Sequence, residues 1–387
     1  MLDYLDLIAD VPDSERALAE RTRSLLERRV APRVSDLYEA GEFPRDLIPE
    51  LGAIGLFGAP LTQFGQASPL AWGLAMRELE RVDSGLRSFA SVQSCLVMEA
   101  IARYGSPSQQ SEWLPRLARG QAVGCFALTE PGHGSDPAGL ETRATLGPGG
   151  TWLLQGRKRW STNGTLADIA VVWAQTAVDS GSKGVRGFLV PTSEPGFRAL
   201  PLERKLSLRV SASSELFFEN VELPGSSILP RAAGLGAPLS CLNEARYSIL
   251  WGAIGAAEAC YAAALEHTTK REQFGRALAG FQMVQENLVE MVDQISRSQL
   301  LAMRLAHLKG EKRLRHQQIS LGKRHNVRSA QDVARRARAL LGAEGIMLDR
   351  DVMRHLCNLE TLATYEGTDQ IHTLVIGQEI TGLSAFR

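Results

Sequence analysis

The segment Thr129-Glu130-Pro131-Gly132-His133-Gly134-Ser135-Asp136 follows an apolar, strand-like run, Cys125 to Leu128, and sets two glycines among hydroxyl and acidic side chains. A loop of this kind can turn successive backbone N–H groups and hydroxyls toward an anion. Taken alone, it reads first as a plain surface turn. Three further clusters carry side chains capable of chemistry: Trp160-Ser161-Thr162-Asn163-Gly164, then Arg271-Glu272-Gln273-Phe274-Gly275-Arg276 with Gln282, then Tyr365-Glu366-Gly367-Thr368. By residue type, Trp160 and Phe274 serve equally as core aromatics and Arg271 as a solvated helix-end cation. Glu366 by composition is an ordinary helix-flanking acid. No G-x-G-x-x-G occurs, so a Rossmann reading has no support. Cys95, Cys125, Cys241, Cys260 and Cys357 are widely spaced, with no CxxC and no His at metal-ligand spacing. Reduced core cysteines are expected, and no metal site.

The elements that must hold these clusters change period along the chain. After Asp13-Ser14, apolar Leu18, Leu25, Leu26 and Val30 recur at helical spacing until Pro32, and similar stretches lie around Leu47 to Leu56, Leu70 to Val82 and Ser91 to Tyr104. The middle third turns to short β-rich runs: Trp152 to Leu154, Ile169 to Trp173, Gly187 to Val190 and Glu215 to Leu223. Asn163-Gly164, Pro191, Pro195-Gly196 and Pro224-Gly225 punctuate them. Long helical stretches then return, Leu239 to Lys270, Phe281 to Lys309 and Glu311 to Leu341, with lengths typical of a bundle. The expected fold is α+β and mainly α, with an N-terminal helical domain over 1–123, a middle antiparallel β domain over 124–232 and a C-terminal four-helix bundle over 233–387.

Bulk properties bound the function. With 387 residues, 44% of them hydrophobic and 22% charged, the chain has the composition of an ordinary globular protein. Lys+Arg and Asp+Glu both number 43, which provides no broad basic field for nucleic acid or anionic lipid. The acidic start, MLDYLDLIADVPDSE, lacks the features of a secretory or transit peptide, so a cytoplasmic protein is expected. Ile249 to Leu265 is almost wholly apolar, but it is Ala-rich, includes Glu258 and runs on into charged sequence. It reads as a long buried helix, with no membrane insertion.

Taken together, in this order and at these separations, the four clusters resemble the acyl-CoA dehydrogenase family over essentially the whole chain. Glu78 to Gly85, Arg87-Ser88, Ser91 to Ser94, Ala245-Arg246-Tyr247 and Trp251-Gly252-Ala253 look like its glutaryl-CoA dehydrogenase branch. The resemblance implies FAD, with Phe126, Leu128, Thr129 and Ser135 lining the flavin and its phosphates, Trp160 flanking the ring and Thr162 near its reactive nitrogen. It implies that Arg271, Phe274 and Gln282 reach the pyrophosphate and adenine end of a neighbouring subunit's FAD, making a homo-oligomer, expected to be a tetramer. Thr368 and Gln370 would complete the phosphate contacts.

The resemblance assigns the catalytic base to Glu366. A carboxylate raised toward neutral pKa in a dry pocket suits removal of a weakly acidic α-proton from a thioester. Gly367 would let the backbone turn beside the acyl-CoA substrate, and the Glu366 N–H would help hold the thioester oxygen. Some relatives take their base from the position that is Ala245 here, which has no carboxylate to offer. Arg87 would meet a terminal carboxylate with charge-assisted hydrogen bonds, beside Glu80, Ser88, Ser91 and Ser94. The plain alternative is that Arg87 pairs with Glu80 or Asp83. Tyr365 would lie near the departing carboxylate, and Asn243 and Arg246 near CoA. The implied reaction is oxidation and decarboxylation of glutaryl-CoA to crotonyl-CoA, with electrons passed to an electron-transfer flavoprotein. Rivals are another short-chain acyl-CoA, a non-decarboxylating glutaryl-CoA enzyme, and a flavin-free scaffold of the same fold.

Overall fold

A computed structural model describes residues 2–386. The N-terminal helices are α1 (Asp13–Arg29), α2 (Val34–Ala40), α3 (Ile48–Ala53), α4 (Pro69–Val82), α5 (Ser84–Ser91), α6 (Glu99–Tyr104) and α7 (Pro107–Ala118). Seven strands follow: β1 (Gly124–Ala127), β2 (Arg143–Leu146), β3 (Trp152–Thr162), β4 (Ile169–Gln175), β5 (Val185–Pro191), β6 (Phe197–Pro201) and β7 (Ser213–Leu223). The chain then returns to helix with α8 (Gly236–Lys270), a small hairpin of β8 (Glu272–Gln273) and β9 (Arg276–Ala277), α9 (Gln282–Gly310), α10 (His316–Leu340), α11 (Val352–Leu362) and α12 (Asp369–Thr381). Helix, sheet, helix is thus the architecture, as expected.

The sheet runs β1-β4-β2-β3-β7-β6, with β5 paired to β4. Its pairings are mostly antiparallel, but β1 lies parallel to β4, Gly124 opposite Ile169 through Ala127 opposite Val172. Both strands are buried along their whole length, which is why they read as unbroken apolar runs rather than as alternation. Successive side chains of β4 still part company: Ile169, Val171 and Trp173 join the core of the helical domains, whereas Ala170, Val172 and Ala174 join a second core inside the β domain. Phe126 and Leu128 fall on the helical side.

Strands β2 and β6 escape the sequence pattern, and β3 extends eight residues past the apolar Trp152 to Leu154 start. Its Gln155 to Arg159 portion is largely polar and broken by bulges near Gly156 and Trp160, so neither composition nor strict alternation marks it. The expected helix over Ser91 to Tyr104 begins earlier, at Ser84, and is wound as π-helix from Val92 to Met98. Wide turns of this kind cluster at functional sites. Within this one Gln93 receives the N–H of Gly124 at 2.9 Å and donates to the carbonyls of Leu117 and Ala122, fixing the π-helical segment against the start of β1.

Glycines let α4 and α8 approach closely. A Cβ on Gly73 would lie 2.4 Å from the Trp251 ring, and one on Gly255 would lie 2.1 Å from the carbonyl of Arg77. The apolar window of α8 is 72% buried within the protein, which is the long buried helix expected there. All five cysteines are free, four of them buried and Cys357 half-buried.

Candidate active site

Glu366 and Gly367 follow α11 with φ of +53° and +97°, a left-handed pair in which the glutamate is the costly member. Two cations hold the turn by its carbonyls. Lys323, from α10, donates through Nζ to the carbonyl of Tyr365 and, at 2.7 Å, to that of Gly367. Arg246, from α8, donates through Nε to the carbonyl of Glu366 at 2.7 Å and through Nη1 to Asn243 Oδ1 at 3.0 Å. Thr368 then caps α12, its hydroxyl accepting the N–H of Ile371 at 3.1 Å. Oε2 of Glu366 is buried with no hydrogen-bond partner. Burial raises the pKa of this carboxyl above the ordinary range, against the opposing pull of Arg87, Lys323 and Arg246.

Arg87 arrives from α5, whose start is fixed by Asp83. That carboxylate accepts the N–H of Gly85 at 2.7 Å and bonds from Arg354 and Asn358 of α11, both at 2.9 Å. The helix carrying Arg87 is thereby tied to the one that leads into Glu366. Nε of Arg87 donates to Glu80 Oε2 at 2.5 Å, and Nη2 donates to the hydroxyl of Tyr365. The pairing with Glu80 foreseen as the plain alternative is therefore present. It leaves Nη1 of Arg87, Oε1 of Glu80 and Oγ of Ser91 buried without partners. Burial opposes the charge of Arg87, but Glu80 and its other neighbours outweigh it and raise its pKa. Gly252 of α8 leaves room for the pair, since a Cβ there would lie 2.3 Å from Glu80 Oε2. Ser88 is buried beside them, whereas the Ser94 hydroxyl accepts the N–H of Gly58 at 3.0 Å.

On the sheet side, Phe126 and Leu128 are buried at the end of β1, and Thr129 and Thr162 are half-buried. Trp160 has φ of +64° and is 56% exposed, its indole held out from β3. The loop after Leu128 is anchored by the buried Lys158, which donates to the Leu128 carbonyl at 2.9 Å and to Glu130 Oε1 at 2.8 Å. The Glu130 carboxylate also accepts the N–H groups of Glu141 and Thr142. Ser135 and Gln370 are exposed. A Cβ on Gly132 or Gly134 would meet no protein atom within 4 Å, so packing within the chain does not demand glycine there.

Arg271, Phe274 and Gln282 are not brought to this site. Arg271 lies on the end of α8, and its separation from Arg246 along that helix is about 37 Å at helical rise. Phe274 is 95% exposed on the β8–β9 hairpin. Beside it, Arg276, Gly280, Phe281, Gln282 and Met283 line a cavity of about 460 Å³.

Lys323 went unnoticed in the sequence, yet a signal existed. It occupies the buried stripe of α10 with Ile319, Asn326, Val327 and Ala330, where a lysine has no place unless something pairs it.

Fold and site together define an acyl-CoA dehydrogenase: the chain belongs to that family, and it is an oxidoreductase. Family models match it in three consecutive parts, "Acyl-CoA dehydrogenase, N-terminal domain" over 12–121, "middle domain" over 125–221 and "C-terminal domain" over 232–381. It is 32% identical over 376 residues to an acyl-CoA dehydrogenase of Bacillus subtilis (strain 168), covering 96% of this chain and 99% of that protein. Among solved structures it resembles glutaryl-CoA dehydrogenase from Mycobacterium smegmatis, with a TM-score of 0.95 and 50% identity over 98% of both chains. A second glutaryl-CoA dehydrogenase structure from that organism, in complex with FADH2, matches with a TM-score of 0.95 and 48% identity over 99% of this chain and 98% of that one.

Proposed function

We propose that this chain is an FAD-dependent dehydrogenase of a short dicarboxylyl-CoA, oxidising glutaryl-CoA and decarboxylating the product to crotonyl-CoA, with electrons leaving to an electron-transfer flavoprotein. The observation that carries the substrate is the buried, unpartnered Nη1 of Arg87, linked through Tyr365 to the turn that carries the unpartnered Oε2 of Glu366. The free carboxylate of a dicarboxylyl-CoA would find in Nη1 a buried charged donor with no other partner, whereas a monocarboxylic acyl chain would leave it unmet.

The residues fit the cofactor. The open space around Gly132 and Gly134 suits a phosphate approaching their backbone N–H groups, and Phe126, Leu128, Trp160 and Thr162 would offer apolar, aromatic and hydroxyl groups to a flat ring. When bound there, FAD supplies the hydride acceptor. Arg271, Phe274 and Gln282 serve the FAD of a second subunit, because α8 carries Arg271 and the hairpin after it too far from Glu366; a homotetramer accommodates such reciprocal exchange. Glu366 takes the α-proton. After loss of the β-hydride the product is a vinylogous acid, and departure of CO2 leaves a dienolate. The proton now on Glu366 is at hand to return to the terminal carbon. A raised carboxyl pKa suits both directions of that transfer.

Assays of purified protein with glutaryl-, butyryl- and isobutyryl-CoA and a dye acceptor test this reading. Glutaryl-CoA should be turned over fastest, with one CO2 and one crotonyl-CoA per turnover. Comparable rates on the monocarboxylates would remove the role given to Arg87, and accumulation of glutaconyl-CoA would remove the decarboxylation. A separate expectation concerns the flavin-side loop. Lys158→Met strands a buried carboxylate, and should cost about 3–5 kcal/mol of folding stability together with loss of flavin on gel filtration. Unfolding by denaturant and the flavin-to-protein absorbance ratio measure both, and retention of full flavin content would count against the loop as part of the cofactor site.

A further inference from the structure

Lys323 lies 1% exposed in α10 among Ile319, Asn326 and Val327. A lysine there is costly, and the sheet and bundle offer it no ordinary ion pair: none of the salt bridges among the described residues includes it. Its Nζ is instead directed at the carbonyls of Tyr365 and Gly367, the two residues flanking Glu366. The carbonyl between them is taken by Arg246. The three bonds hold a glutamate at φ of +53°, a conformation it would not keep unaided.

We propose that Lys323 is the positioning residue of the active-site base, strapping the backbone on both sides of Glu366 so that its carboxylate oxygen Oε2 is left unpartnered, and supplying a positive charge beside it. The inference rests on Glu366 being the base. The charged and titratable groups that act on this carboxylate are Arg87 of α5, with Glu80 of α4 behind it, Arg246 of α8, Lys323 of α10 and Tyr365 of the turn, while Asp369 and His372 of α12 act on Lys323. Burial pushes Lys323 down to about 7, with the charge of Glu366 opposing the shift. His372, pushed down to about 2 by burial and neighbouring cations, stays neutral and packs under Gly367, where a Cβ would lie 2.9 Å from its ring. Of the cations, Arg87 and Arg246 keep other bonds to Glu80, Tyr365 and Asn243, whereas both hydrogen bonds of Lys323 go to the turn itself.

The test compares Lys323→Met, which removes donor and charge, with Lys323→Gln, which keeps a donor only, and uses Glu366→Gln as reference. Three quantities are read: kcat and KM for glutaryl-CoA, bound flavin and Tm, and the titration of the Glu366 carboxyl band in infrared difference spectra of substrate-free enzyme, assigned by its absence in Glu366→Gln. Lys323→Met should lower kcat about a hundredfold with KM within a few-fold and flavin retained. The Glu366 midpoint should rise by roughly one pH unit. Lys323→Gln should recover part of kcat while the midpoint stays high. An unmoved midpoint in either variant overturns the proposal, as does an activity loss that merely tracks lost flavin and Tm. If Lys323→Met does not fold, the midpoint and KM-against-kcat split of Lys323→Gln decide alone. Full activity of Glu366→Gln would instead remove the base on which the inference rests, an outcome distinct from failure of the lysine.

Discussion

Glu366→Gln should reduce turnover of glutaryl-CoA by about 10⁴-fold while leaving flavin content and CoA-ester binding intact. The amide has nearly the shape of the acid, so the turn held by Lys323 and Arg246 keeps its carbonyl bonds, and only proton abstraction is lost. Stopped-flow reduction of the flavin measures the chemical step directly, and residual reduction near the wild-type rate would dismiss this side chain as the base. The same substitution should raise Tm. Burial holds the folded pKa of Glu366 above its unfolded value, so the stability it contributes is present below the unfolded pKa and disappears as pH rises through the folded one. Above that folded value the ionised side chain therefore destabilises the fold, as functional groups often do. In the wild type, kcat/KM should fall as pH drops through that raised value, because the base is then protonated. An acid limb confined to the ordinary carboxylate range would contradict the burial argument.

Removing the cation opposite the base should give the second large effect, and it needs a paired design. Arg87→Met alone strands Glu80, which is fully buried and draws its hydrogen bond from that guanidinium, so the single variant should also be destabilised. Arg87→Met with Glu80→Gln removes both charges. This double variant should lose about 10³-fold in kcat/KM on glutaryl-CoA, since a free carboxylate must then enter a dry pocket unpaired. Butyryl-CoA should be used as well as before or better, having no charge to bury. Parallel losses on the two substrates would assign Arg87 to the scaffold and leave the choice of acyl chain to other residues.

The free Nη1 separates these two roles of Arg87. Nε and Nη2 serve Glu80 and Tyr365, which fix the orientation of the guanidinium plane; the remaining nitrogen is held ready and has nothing to meet. A guanidinium can do this because its five donors diverge in one plane, whereas an ammonium satisfied by two partners retains little direction. The geometry explains why pairing with Glu80 and recognition of a substrate anion are compatible rather than rival readings of one side chain.

Residues were legible in the sequence where their meaning is local. The helix, sheet, helix order follows from hydrophobic period, which neighbours along the chain dictate, whereas Glu366-Gly367 and the glycine loop from Thr129 stand out only through their resemblance to a family pattern. Lys323 and Asp83 were not legible as parts of the site, because their partners lie on α11 and the turn that follows it, tens to hundreds of residues away. Strands β2 and β6 went unseen for the same reason: four or five residues with mostly exposed side chains become a strand only when β3 and β7 supply the ladder. Arg246, expected near CoA, also turns its guanidinium onto the Glu366 carbonyl, a contact the sequence did not disclose. By itself the sequence determined which groups can react and the periods of the elements that carry them, since both reside in side-chain identity. Only the tertiary structure decided which of those groups are dry, which are paired and which are left free, because desolvation and partner choice arise when distant segments are packed together.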